Sequence, residues 1–133
     1  MMKRIEPNPN AQPQTHANAI LSGDDLFIAG QVGIDRKTGA TVDGIASQAK
    51  VALENIEAIV TTAGGGIGDV AKLTIFVADM EAFAAHAAEL QGAIFSTFPD
   101  GYLPAISLIG VTALLSPEYL IEIEGHAKID GGS

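Results

Sequence analysis

Cysteine is absent from this 133-residue chain, which excludes a disulfide framework, thiolate nucleophiles and cysteine-based metal sites. Basic residues are few: 7 Lys and Arg stand against 16 Asp and Glu, giving a formal net charge of −9. They are Lys3, Arg4, Arg36, Lys37, Lys50, Lys72 and Lys128, scattered along the chain. Proteins that bind nucleic acid neutralise phosphates with a basic face, so no nucleic-acid partner is expected. Long apolar runs are missing too. Although 47% of the residues are hydrophobic, charges, Gly or Pro interrupt them well before the ~18–20 residues of a membrane span. The N-terminal Lys3-Arg4 pair is followed by no apolar h-region, so neither a signal peptide nor membrane contact is expected and the protein is placed in the cytoplasm. The three histidines, His16, His86 and His126, lack the spacing of zinc ligands, and no metal is expected. Gly64-Gly65-Gly66 lacks the Gly-Lys-Ser/Thr ending of a phosphate loop, and no Gly-x-Ser-x-Gly elbow occurs. No cofactor is implied.

What is present reads as one α+β domain over 1–133, with residues 1–14 as a lead-in: a short strand, then an irregular Pro/Asn/Gln-rich stretch. Ile20-Leu21, the turn cluster Ser22-Gly23-Asp24-Asp25 and Leu26-Phe27-Ile28 read as a hairpin. From Asp43 to Ala63, Ile45, Ala49, Ala52, Ile56, Ile59 and Ala63 recur at helical spacing, with Asp43 as the expected cap and the three glycines as the stop. Val70–Ala78 is β-branched and reads as a strand. Asp79 is placed to cap a second, alanine-rich helix over 81–95. Strands over 105–114 and 120–129 complete the order β-β-α-β-α-β-β. The last strand alternates Ile121, Ile123, Ala127 and Ile129 with Glu122, Glu124, His126 and Lys128. Two helices cover one face of a mixed sheet, and the other face is left for burial against further subunits.

Three segments carry a resemblance. Gly30-Gln31-Val32 is similar to the Ser-Gly-Gln-Ile/Val element of the YjgF-like reactive-intermediate deaminase family. The stretch Gly68-Asp69-Val70-Ala71-Lys72-Leu73-Thr74-Ile75-Phe76-Val77-Ala78-Asp79-Met80 resembles the same family's Gly-Asp-Val-x-Lys-x-Thr-x-Phe-Val-x-Asp-Leu run. Pro104-Ala105 and Ile121-Glu122-Ile123-Glu124 keep the spacing of its signature. The resemblance spans about residues 16–129. It implies a chorismate-mutase-like protomer with two helices on one face of the sheet. It also implies a homotrimeric barrel with ligand clefts between subunits, and hydrolysis of reactive imines or enamines to ammonia and a 2-keto acid.

Carried over by position, Glu122 is the carboxylate that orients the attacking water and Gly30 is the backbone glycine of the pocket. His16 stands nearest the family's tyrosine. Ile106 replaces the arginine that grips the substrate carboxylate, and Leu108 replaces a frequent cysteine. The asparagine often found on the second helix has no counterpart in Phe83–Ala87. Losing the arginine removes a charge and five donors, a contact of about 1.5–3 kcal/mol. By sequence position, none of the seven basic residues replaces it.

Two readings therefore stand. One is a hydrolase of the imine/enamine deaminase type, with a water held by Glu122 and a non-standard substrate facing Ile106 and Leu108. The other is a non-catalytic trimer that binds a metabolite or protein in the same cleft. The ribonuclease activity sometimes attached to the family is disfavoured by the charge. For individual residues, pattern alone also allows Glu122 to be a solvated or interface carboxylate, and His16 to be a loop residue. Glu124 is read as structural and His86 as helix filler. His126 lies ~13 Å along the strand from Glu122, too far to pair with it.

Overall fold

The alternation of β-branched and charged residues at the two ends of the chain is resolved into a single sheet. The structure, a computed structural model, describes residues 2–8 and 15–129, so most of the expected irregular lead-in (9–14) lies outside the described residues. In chain order the elements are β1 (Met2–Ile5), β2 (Ala19–Ser22), β3 (Asp25–Val32), α1 (Ile45–Thr62), β4 (Val70–Val77), α2 (Met80–Ala85), α3 (Ala87–Thr97), β5 (Ala105–Gly110) and β6 (Ile121–Lys128). A single 3-10 turn over Ile67–Asp69 leads into β4. The strand order is β1-β2-β3-β6-β4-β5. Every pairing is antiparallel except β4 with β5, whose crossover is α2 and α3.

Register assigns the faces. Ile75 lies opposite Ile123, and Val77 opposite Ile121; all four are buried with Leu26, Ile28 and Leu73 beneath Ala52, Leu53 and Ile56 of α1. Burying an aliphatic side chain of this size contributes about 1.5–3 kcal/mol, and this layer carries the core. The opposite face bears Phe76 beside Glu122, Thr74 beside Glu124, and Lys72 beside His126. Phe27 (51% exposed) and Ile109 (42%) leave this second face apolar as well as charged.

Three expectations are corrected. The first helix begins at Ile45, and its N-cap is Gly44 at φ 89, not Asp43; no side chain caps it. That left-handed turn favours glycine, and it moves the start past the aspartate. Its other end behaves as the glycines imply, with Gly64 at φ 96. The second helix is two helices. It breaks at His86, whose N–H is shared between the carbonyls of Ala82 and Phe83 and whose Nδ1 lies 3.1 Å from Glu89 Oε1. His86 is thus a junction residue, and uniform alanine propensity on both sides gives no sign of it. Asp79 does cap α2, its Oδ1 accepting the Ala82 N–H at 3.0 Å. Finally, β5 stops at Gly110, so 111–120 forms a return loop rather than further strand.

Gln48 fixes that loop. Although polar, it is 2% exposed on α1. Its Nε2 donates to the carbonyls of Val42 and Glu118, and its Oε1 accepts the Leu120 N–H at 2.9 Å. One side chain thereby joins the segments entering α1 and β6.

Candidate functional site

β3 and β6 run side by side, and a bulge between Ile28 and Gln31 shifts their register before Val32 meets Glu122. Bulges re-aim the side chains around them. Here the consequence is close approach: a methyl group on Gly30 would come within 2.6 Å of Glu122 Cδ and 2.8 Å of its Oε1. The Glu122 carboxyl therefore lies across the bare backbone of Gly30.

The two residues share a cavity of about 480 Å³ with His16, Asn18, Arg36 and Tyr119. Burial pushes the Glu122 carboxyl above the ordinary glutamate value, the like charge of Glu124 adds to this, and His16 opposes it. A carboxylate poised in this way is a better proton acceptor near neutral pH than a solvated one. His16 is exposed, with its Nδ1 3.3 Å from Thr15 Oγ1.

A polar network fixes the wall beside them. Asn18 donates its backbone N–H and its Nδ2 to the two carboxyl oxygens of Glu6, at 3.0 and 2.6 Å, and its Oδ1 accepts from Gln31 Nε2. Burial resists ionisation of Glu6, but hydrogen bonds from Arg4 and Asn18 outweigh it and hold the carboxyl below its usual range.

The positions expected to meet the substrate divide into two groups. Glu122, His16 and Gly30 come together. Ile106 and Leu108 do not join them, because they lie opposite Leu73 and Ile75 and so share the helix-covered face of the sheet. There they line a separate apolar groove of about 210 Å³, with Phe83, Leu90 and Ile94 from α2 and α3. Within one chain the expected five-residue pocket is therefore split. His126 is placed elsewhere again: its Nε2 is 3.0 Å from Asp25 Oδ1 and its ring stacks on Phe27 at 4.8 Å between centroids. Among the described residues no group of three His, Asp or Glu side chains could hold a metal ion.

Two residues of the cavity escape a reading of the sequence by position. Asn55 is 6% exposed on α1, donates Nδ2 to the carbonyls of Val32 and Ile34, and accepts Arg36 Nε at 3.0 Å. Arg36 thus lines the same cavity from the β3–α1 loop. A signal for Asn55 exists. Gln48, Ala52, Asn55 and Ile59 share one helical stripe, so two amides interrupt an otherwise apolar face.

Residues 7–129 match the family described as Endoribonuclease L-PSP. The chain belongs to that family. A relative within it, the 2-iminobutanoate/2-iminopropanoate deaminase of Salmonella typhimurium, is 39% identical over 105 residues, covering 79% of this chain and 80% of its own length. Among solved structures, the YjgF gene product of Escherichia coli superposes with a TM-score of 0.82 at 31% identity, covering 95% of this chain and 98% of that one. TdcF of Escherichia coli with bound serine gives 0.81 at 28% identity, covering 95% and 98%. The YjgF-like resemblance and the mixed α+β fold are therefore established, with three helices where two were expected. None of the described helices is long and apolar enough to cross a membrane.

Proposed function

We propose that this chain acts as one domain that hydrolyses a reactive imine or enamine in the cavity beneath Glu122. The observation that carries the reading is the Glu122 carboxyl lying over Gly30, raised in pKa and within the electrostatic reach of His16. In this reaction Glu122 accepts a proton from water while the water oxygen bonds to the imine carbon. The C=N double bond becomes single, and its electron pair goes to nitrogen, which takes a proton from His16. Collapse of the carbinolamine breaks the C–N bond: protonated Glu122 returns its proton to the leaving nitrogen, the hydroxyl gives its proton back to His16, and a carbonyl compound and ammonia leave with both side chains restored. The deaminase names of the relatives support this chemistry, and the serine held by TdcF supports a small polar ligand.

The working form is a homotrimer of chorismate-mutase-like protomers in the cytoplasm, with its sites in the clefts between subunits. Support comes from the divided positions: Ile106 and Leu108 open from a different groove, so a neighbouring copy is needed to bring such a wall to Glu122. That wall is apolar and would meet an apolar part of the substrate, a departure from an arginine-lined site.

Ammonia release from freshly generated imines and enamines tests the mechanism. Turnover by the wild type that Glu122→Gln abolishes is expected; turnover retained in Glu122→Gln overturns it. The same division of the site also supports a second reading, a trimer that binds a metabolite or protein without turnover. Ligand affinity with no ammonia from any substrate would establish that one instead.

A further inference from the structure

Three donors converge on Glu6. Arg4 Nε reaches its Oε1 at 2.7 Å, the Asn18 backbone N–H reaches the same oxygen at 3.0 Å, and Asn18 Nδ2 reaches Oε2 at 2.6 Å. An ionised carboxyl only accepts, so it dictates which end of the Asn18 amide faces it. The nitrogen turns to Glu6, and Oδ1 is left for Gln31, whose Nε2 lies 3.3 Å away. That Nε2 also donates to the Ala29 carbonyl at 3.1 Å, and the Ala29 N–H donates to the Asn18 carbonyl at 2.9 Å. Ala29 and Gln31 flank Gly30, where β3 slips in register against β6. The backbone over which the Glu122 carboxyl lies is therefore held from its β2 side by a chain of bonds that begins in the N-terminal segment.

We propose that Glu6 is a positioning residue of the Glu122 site: through Asn18 and Gln31 it holds the bulge that seats the Glu122 carboxyl. The inference rests on the proposed role of Glu122 and adds a residue that touches no reacting atom. Glu6 stands outside the cavity that its relays Asn18 and Gln31 line. The charges that act on Glu122 are those of Glu124 and His16, so Glu6 influences it through geometry rather than through its field. A glutamine at position 6 would set its own NH2 group against one of the three converging donors. The order of amide orientations from Asn18 to Gln31 would then no longer be fixed. A bulge released in this way lets the Glu122 side chain leave the backbone of Gly30 and meet water.

Titration of the Glu122 carboxyl carbon by NMR, assigned by its loss in Glu122→Gln, tests this on the intact protein. In the wild type it should titrate above the ordinary glutamate value. Asn18→Ala, which changes no charge, should bring it back toward that value, and Glu6→Gln should do the same. The double variant should shift it no further than Asn18→Ala alone, because a residue acting through Asn18 has no path without it. Gln31→Met breaks only the last link and should give the same shift; it decides the question if Asn18→Ala fails to fold. Three results overturn the proposal: an ordinary Glu122 titration in the wild type, no shift in these relay variants, or shifts of Glu6→Gln and Asn18→Ala that add in full. Ammonia release gives a second readout, in which Glu6→Gln and Asn18→Ala should each lose about tenfold in kcat with KM nearly unchanged. Wild-type kcat in both would also overturn it. If Glu122→Gln keeps turnover while the titration shifts as stated, the mechanism falls and the positioning role stands. If Glu122→Gln loses turnover while the titration does not move in the relay variants, the positioning role falls and the mechanism stands.

Discussion

The carboxyl of Glu122 occupies the space that a side chain on Gly30 would fill, with Cδ 2.6 Å from where that residue's Cβ would be. The contact couples a strand of the sheet centre to a residue within the β3 bulge. It also makes the glycine an element of the site's geometry, because the two strands run side by side there.

Gly30→Ala separates geometry from stability. The obstructing atoms belong to the end of a flexible side chain, so the glutamate can swing aside. A melting curve should show a loss below about 1 kcal/mol. Turnover should drop at least about tenfold, as a displaced base loses its alignment. A variant with wild-type turnover would mean that the resting position of Glu122 is not the working one.

Glu122 should weaken the fold as it ionises. Burial, then the charge of Glu124, raises its pKa above the unfolded value. Its stabilising contribution is fully present below the unfolded pKa and is lost as pH rises through the folded one. Glu122→Gln removes that loss and is expected to melt at or above the wild type at pH 7, with the advantage gone below about pH 4. Glu6, whose lowered pKa acts in the opposite sense by removing stability as pH falls, is common to both proteins and cancels in the difference. A wild type more stable than the variant at pH 7 would contradict this sign.

Gln48→Leu keeps the volume of a buried residue but removes three hydrogen bonds. The carbonyls of Val42 and Glu118 and the N–H of Leu120 lose their amide partner. The expected cost is about 2–4 kcal/mol, read from urea unfolding. A loss under about 1 kcal/mol would show that water or a loop shift replaces the amide.

Assembly can be probed from the exposed sheet face. Ile109 lies opposite Phe76 on the side away from α1 and is 42% exposed. If three copies close over this face, light scattering gives three times the 13.7 kDa of one chain, and Ile109→Lys lowers that mass. An unchanged wild-type mass of one chain would remove the inter-subunit cleft from the mechanism.

Much of the fold is legible because periodicity is legible. The isoleucines of β6 alternate with its charged residues, the apolar stripe of α1 repeats at helical spacing, and Asp79 caps where its position says it should. Nothing local announces the break at His86, which depends on how the two short helices seat over the sheet. Glu122, Gly30 and His16 are readable through their surrounding segments. Which wall Ile106 faces is not, because that depends on the parallel register of β5 with β4, which pairs Leu73 with Ile106, 33 positions later. Arg36 is hidden for the same reason. Its place in the cavity wall follows from a helix residue 19 positions later, and only the amides interrupting the α1 stripe point to it.

The last strand of the chain is inserted between β3 and β4. Without β6, β1, β2 and β3 would be one fragment of sheet and β4 with β5 another, with no described strand to join them. Each fragment would present open hydrogen-bonding edges and half of the core layer to its surroundings. Pairing of β6 with β3 on one side and β4 on the other therefore closes the protein in one cooperative step, and the carboxyl-bearing strand that completes the cavity is also the strand that completes the fold.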